Sequence, residues 1–320
     1  MRAVRILEHG GLEALTLTEL PDPEPGPGEV RVRIRAAALN HLDVWVRRGV
    51  PGVRYPLPLV PGCDGSGLVD RLGPGVEGLE PGTACVLAPG VACGLCEACA
   101  RGDDHLCRRY GILGEHREGT CADFVVVPAR NVLPKPDRLS FEEGAAAPLV
   151  FLTAWHMLAG RAGLRPGETV LVHAAGSGVS TAAVQIAVLL GARVFVTAGS
   201  AEKLRRAEEL GAEAGINYRE QDFVAELRRL TGKRGVDVIV DHIGKDTWEG
   251  NIRSLAVGGR LVICGNTSGT EALTSLPHVF FKSLSLLGST MGSRSEVHEV
   301  LRLLERGELA PVIDRVLPMN

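Results

Sequence analysis

Thr169-Val170-Leu171-Val172-His173-Ala174-Ala175-Gly176-Ser177-Gly178-Val179-Ser180 decides the fold of this chain. The first half is nearly all apolar, and a short apolar run that stops at a turn reads as a strand buried on both faces. The second half is a turn of small residues that opens the helical stretch Ala182 to Leu190. A pyrophosphate docks at such a turn, because unpaired backbone N–H groups and the helix dipole both face the anion. The strict G-x-G-x-x-G is absent, its three glycine places reading Ala175, Ser177 and Ser180. The plainer alternative is a tight strand-to-helix turn with no ligand, and the downstream residues argue against it. Strand, turn and helix recur, with strands at Arg193 to Thr197, Val236 to Asp241, Arg260 to Cys264 and Leu284 to Gly288. The helices between them, Lys203 to Leu210 and Phe223 to Leu230, mix charged and apolar residues at helical spacing. This is an α/β doubly wound parallel sheet, and Ser177, Gly178 and Val179 are its expected phosphate contacts.

The second of these strands closes on Val196-Thr197-Ala198-Gly199-Ser200. An NAD site usually places an acidic residue there to bond the ribose 2′-hydroxyl. Ala198 occupies the place. An uncharged strand end beside Ser200, Lys203 and Tyr218 suits a 2′-phosphate, which a carboxylate would repel and an ammonium attract. NADP is the expected cofactor, with NAD the alternative. The plainer reading of Lys203 is a solvated helix residue.

Upstream, to about Val127, the pattern is different. Val30-Arg31-Val32-Arg33-Ile34-Arg35 alternates apolar and charged as a half-buried strand does, and Pro21 to Gly28, Gly73-Pro74-Gly75 and Pro81-Gly82 punctuate such strands at short intervals. A small antiparallel barrel fits that rhythm. After Pro134-Lys135-Pro136 the strand-and-helix rhythm begins, with a helix over Glu142 to Leu158. A chain of 320 residues has room for two such domains. With 45% hydrophobic residues and a formal net charge of −3 it folds readily and has no bulk attraction to nucleic acid or anionic lipid. No signal-peptide pattern and no apolar run of the ~20 residues that span a bilayer is present, so the cytoplasm is the expected location.

Of eight cysteines, four crowd together as Cys93-x2-Cys96-x2-Cys99-x7-Cys107, while Cys63, Cys85, Cys121 and Cys264 lie scattered. A small disulfide-stapled domain does not space its cysteines so, and in a cytosolic chain the regular cluster favours metal over a disulfide pair or free thiols. Four thiolates on short spacers suit one tetrahedral zinc and leave no open position for substrate, which makes the ion structural.

These residues together resemble the medium-chain dehydrogenase/reductase family along essentially the whole chain. Asn217-Tyr218-Arg219-Glu220, Asp246-Thr247-Trp248-Glu249 and Gly265-Asn266-Thr267-Ser268-Gly269 look like the quinone oxidoreductase branch, and the four-cysteine lobe looks like the zinc-containing alcohol dehydrogenase branch. The resemblance implies a GroES-like β-rich catalytic domain over 1–134, with a zinc lobe at about 93–107. It implies a Rossmann domain over 135–308 and, at 309–320, the start of a return segment to the catalytic domain that is cut short. It also implies a cleft between the domains where nicotinamide meets substrate, a contact of Thr153 and Asn266 with the cofactor, and a homodimer or homotetramer paired through the Rossmann sheet edge. The positions of a catalytic zinc's ligands read Asn40, Cys63 and approximately Leu149, and even with Asp64 recruited that set is a poor match for zinc. The quinone reductases, by resemblance, lack that metal and carry Asn-x-x-Asp-x-Tyr where this chain has Asn40-His41-Leu42-Asp43-Val44-Trp45. The expected activity is therefore hydride transfer from NAD(P)H to a quinone or an α,β-unsaturated carbonyl. Asn40 and His41 are the expected donors to the oxyanion, and Asp43 is expected to position their loop; the plainer alternatives are that Asn40 caps a turn and that His41 touches the cofactor pyrophosphate. The alternatives are zinc-dependent alcohol oxidation and a nucleotide-binding sensor without turnover.

Overall fold

Two sets of strands under different burial rules make up the computed structural model, which describes residues 1–319. The N-terminal set comprises β1 (Arg2–Ile6), β2 (Leu15–Glu19), β3 (Glu29–Ala38), β4 (Asp64–Leu72), β5 (Ala84–Leu87), β6 (Gly90–Val91), β7 (Gly111–Ile112), β8 (Phe124–Pro128) and β9 (Val132–Pro134). β8, β3, β4, β5 and β9 form one antiparallel sheet in that order. Its inward residues Val30, Val32, Val69, Leu87, Val125 and Val127 are buried in one core, as the alternation requires. Arg31 departs from the alternation: it is buried beside a register shift in the β3–β4 pairing, and its Nε donates to Asp70 Oδ2 at 2.7 Å. A covered guanidinium of this kind needs its carboxylate, since an unpaired buried charge is costly.

Three short helices belong with these strands: α1 (His41–Arg48), α2 (Glu97–Ala100) and α3 (Phe141–Ala146). The helix expected over 142–158 is broken. α3 stops before α4 (Pro148–Trp155), which runs on into a wider π-helical turn over His156–Arg161. Pro148 has no N–H to give and its ring excludes the preceding turn, so one helix becomes two. Because α3 packs on β3 and β4, the division between the two units falls after Leu149 and not after Pro134.

The second unit, Val150–Gly292, contains β10 (Thr169–Val172), α5 (Gly178–Leu189), β11 (Arg193–Ala198), α6 (Ala201–Glu209), β12 (Ala214–Asn217) and α7 (Phe223–Leu230). It continues with β13 (Val236–Asp241), α8 (Lys245–Ser254), β14 (Leu255–Ile263), α9 (Leu276–Phe281) and β15 (Ser285–Gly288). All pairings are parallel and the order is β12-β11-β10-β13-β14-β15. β10 and β13 are buried along their whole length, as continuous apolar strands should be. β12 has no counterpart in the sequence reading, because Ala214-Gly215-Ile216-Asn217 offers Ile216 as its one large apolar residue. The sheet order reverses direction between β10 and β13, and ligands of such sheets bind outside the strand ends at that point.

Helix α10 (Arg294–Arg306) and the residues after it group with the N-terminal unit, so the return begins at Ser293 and not at residue 309. Ser293 and Glu296 form a capping box, Gly307 ends the helix with φ of 75°, and Val297, Val300, Leu301 and Leu304 make its buried stripe. Burying each of those side chains stabilises the helix by roughly 1.5–3 kcal/mol relative to exposure. No helix among the described residues is long and apolar enough to cross a membrane.

Candidate functional site

The four clustered cysteines converge. Cys96 is the N-cap of α2 and Cys99 lies within it, which sets their sulfurs 3.5 Å apart, and Cys93 Sγ is 3.9 Å from Cys99 Sγ. All four sulfurs lie within 4.8 Å of one another. A zinc ion about 2.3 Å from each of four sulfurs makes a tetrahedron with edges of about 3.8 Å, so the donor set fits. Backbone N–H groups point at the sulfurs: Leu95 N to Cys93 at 3.5 Å, Cys93 N to Cys107 at 3.4 Å and Arg109 N to Cys107 at 3.3 Å. The N–H groups of Leu95 and Cys96 hold the Cys93 thiol down to about 5, while burial and the hydrogen bond with Cys96 push Cys99 up to about 11, so one sulfur of the cluster is held as thiolate and its neighbour keeps its proton until a cation displaces it. The lobe also anchors α10, since Asp104 Oδ1 accepts from Arg294 N at 2.9 Å. Cys96→Ser is expected to lose its zinc and at least about 2 kcal/mol of stability, on the order of 5 °C in the melting midpoint. Calorimetry beside metal analysis measures both, and an unchanged midpoint would count against a zinc-held lobe.

In the second unit the stretch Thr169 to Ser180 forms the strand, turn and helix start that it predicts. Ser177 caps α5, its Oγ accepting from Ser180 N at 3.2 Å. His173 is buried at the end of β10, its Nε2 2.7 Å from Asn251 Oδ1 and its Nδ1 2.9 Å from Thr197 Oγ1, and burial pushes its pKa down. Asn251 in turn donates to Asp241 Oδ2 at 2.7 Å, so a closed polar chain supports the turn from below. The turn is a cradle that a side chain would fill. A β-carbon at Gly176 would stand 2.8 Å from Lys203 Cδ, and one at Gly199 would stand 2.7 Å from Tyr218 Oη and 3.0 Å from Arg219 Nε. Ser200 caps α6 by accepting from Lys203 N at 3.5 Å. Ser200, Lys203 and Tyr218 thus gather at the ends of β10 and β11, and Arg219 joins them. Arg219 is not among the residues expected here, and its place directly after Tyr218 is the one sequence signal that points to it. Asn266 is exposed on the loop after β14, and Thr153 is buried in α4.

In the first unit a third cluster forms around Asn40. Both Asp43 oxygens accept backbone N–H groups, Oδ2 from Asn40 at 2.7 Å and Oδ1 from Gly62 at 3.0 Å, which fastens the start of α1 to the Pro61-Gly62-Cys63 turn. Asn40 Nδ2 lies 2.9 Å from Asp64 Oδ2 and 3.3 Å from Cys63 Sγ, and Leu149 N donates to Asp64 Oδ1 at 3.0 Å. Burial raises Asp64 to about 7 against the pull of these donors, and burial and the neighbouring Asp64 push the Cys63 thiol up well beyond its usual range. His41 stands apart, exposed on α1 with its ring edge-on to Trp45 at 5.0 Å. The structure therefore brings together Asn40, Asp43, Cys63 and Asp64. In this arrangement Asn40 turns both amide hydrogens inward, where the sequence reading aimed them at substrate.

Family models match both units: an alcohol dehydrogenase GroES-like domain over residues 26–137 and a zinc-binding dehydrogenase domain over residues 178–306. An NAD-dependent alcohol dehydrogenase of Saccharolobus solfataricus is 31% identical over 329 aligned positions, which cover all of this chain and 94% of that protein. A quinone oxidoreductase of Salmonella typhimurium is 34% identical over 265, covering 82% of this chain and 72% of its own. A crystal structure described as an NAD-dependent alcohol dehydrogenase superimposes with a TM-score of 0.94 at 58% identity, over 98% of this chain and 91% of the other. Fold, cradle and relatives together define a nicotinamide-dependent oxidoreductase. The chain belongs to the medium-chain dehydrogenase/reductase family, in its zinc-binding alcohol dehydrogenase and quinone oxidoreductase group.

Proposed function

We propose that the protein reduces quinones or α,β-unsaturated carbonyls with NADPH, holds one structural zinc on Cys93, Cys96, Cys99 and Cys107, and uses no catalytic metal. The observation that carries this reading is the Asn40 cluster. A neutral amide stands beside one thiol and one carboxyl and donates to both, so the cluster offers two zinc-type ligands where a catalytic zinc takes three from the protein. Among the described residues the four-cysteine lobe is the one group of three or more metal-type side chains that converge.

When bound, the reduced nicotinamide supplies the hydride. The N–H groups of Gly178 and Val179 would hold the pyrophosphate, with Ser177 shaping the turn as the cap of α5, while Lys203, Arg219, Ser200 and Tyr218 would take the 2′-phosphate and Thr153 and Asn266 would support the remainder of the nucleotide. Asn40 stabilises the oxyanion on the acceptor through a change of partners. Near neutral pH a share of Asp64 is protonated and donates instead of accepting. The Asn40 amide then turns over to accept through Oδ1, which frees the Nδ2 hydrogens for the acceptor's oxygen. His41, exposed at the start of the same helix, is a second donor. Self-association through the exposed edge of β15 fits the dimer or tetramer implied by the family.

Alcohol oxidation with NAD is the second reading, and the 58% identical structure described as an NAD-dependent alcohol dehydrogenase favours it. Nicotinamide absorbance with a quinone, an enal and a primary alcohol, each with both cofactors, separates the two. NADPH-dependent reduction of the quinone or enal as the fastest reaction supports the proposal, and alcohol oxidation alone would overturn it.

A further inference from the structure

We infer that His242 is a positioning residue for the dinucleotide, one that makes a serine-bearing turn serve where the family fingerprint has glycine. The inference rests on the second unit binding a nicotinamide nucleotide. His242 follows β13 directly, at the point where the strand order reverses, and its Nε2 reaches two hydroxyls of the β10–α5 turn: Ser180 Oγ at 2.9 Å and Ser177 Oγ at 3.0 Å.

Counting hydrogens fixes who donates. Ser180 Oγ lies 2.6 Å from the carbonyl oxygen of His173, which can only accept, so the Ser180 hydroxyl hydrogen is committed there. Ser177 Oγ, 2.9 Å from Ser180 Oγ, then donates to it. Neither hydroxyl has a hydrogen left for His242, so Nε2 carries the proton and donates to both oxygens. Ser177 Oγ also takes the N–H of Ser180. Both serine side chains, at the second and third glycine places of the fingerprint, are thereby locked within the turn.

The consequence falls on the anion. A serine oxygen that swung into the mouth of the turn would set lone pairs against phosphate oxygens. With both hydroxyls tied, the N–H groups of Gly178 and Val179 at the start of α5, which no hydrogen bond of the turn uses among the described residues, are what the turn presents. His242 acts through Ser177 and Ser180, and the group it serves is the pyrophosphate common to both nicotinamide nucleotides.

Fluorescence titration of NADPH and NADH against three proteins tests this, with the melting midpoint of each as a control. His242→Asn keeps a polar side chain whose amide falls short of the Nε2 position. It is expected to weaken both nucleotides alike by about tenfold or more. His242→Gln places an N–H near the position of Nε2 and is expected to stay within about threefold of wild type. In a Ser177→Gly, Ser180→Gly background, where nothing is left to tie down, His242→Asn is expected to cost less than about twofold. Unchanged binding in His242→Asn, or a loss that persists in the glycine background, would overturn the inference while leaving the nucleotide reading intact. Wild-type protein that binds neither nucleotide would overturn both.

Discussion

Asn40→Ala is expected to lower turnover on a quinone or enal by about 10²–10³, the usual cost of removing one donor aimed at a developing oxyanion. Affinity for NADPH should stay within about threefold, because the substitution removes an interaction made in the transition state. The variant also separates this role from simple packing through its pH profile. In the wild type, Asn40 is free to serve the acceptor while Asp64 is protonated, and ionised Asp64 takes the amide back by accepting from Nδ2. Asp64 sits at about 7, so the wild-type rate should fall as pH rises through that value. The residual rate of Asn40→Ala should be flat over the same range. A wild-type rate that is level through neutrality, or that climbs, would remove Asp64 from the account.

The second large effect belongs to the cation pair at the end of β11. Lys203→Ala and Arg219→Ala together are expected to weaken NADPH by about 10²–10³ and NADH by less than about threefold, since a charge-assisted contact contributes about 1.5–3 kcal/mol. Both side chains are exposed, so the lower half of that range applies to each. The name of the 58% identical neighbour carries NAD, which makes this comparison sharp. Equal loss of both nucleotides, or a wild type that prefers NADH, would mean that the two cations are ordinary surface charges.

Much of this was legible in the sequence, for reasons that differ from site to site. The convergence of the cysteines is local: Cys93, Cys96 and Cys99 follow at two-residue spacers and Cys107 returns after seven, so their sulfurs gather within one short lobe. The parallel sheet was legible because β10 and β13 are buried on both faces and read as unbroken apolar runs, whereas β12 carries its burial on Ile216 alone and went unseen. Pro148 stood in the sequence, but the apolar run that crosses it hid the break between α3 and α4. His242 could not be found from spacing, because only the strand order places the end of β13 beside the β10–α5 turn. Asn40 stands out in the sequence through its place in Asn40-His41-Leu42-Asp43, yet its partners Cys63 and Asp64 lie 23 and 24 residues away, and no local pattern states which way an amide turns.

The central claim is that zinc is structural here and hydride transfer needs no metal at Asn40, Cys63 and Asp64. Metal analysis of the purified protein, read against its rates with an enal and with a primary alcohol before and after mild chelation, tests it most directly. The expected result is close to one zinc per chain, NADPH-dependent reduction of the enal, and a rate that survives as long as the four-cysteine lobe keeps its ion. Two zinc ions per chain, with alcohol oxidation lost as the more weakly held one is removed and no reduction of the enal, would contradict it.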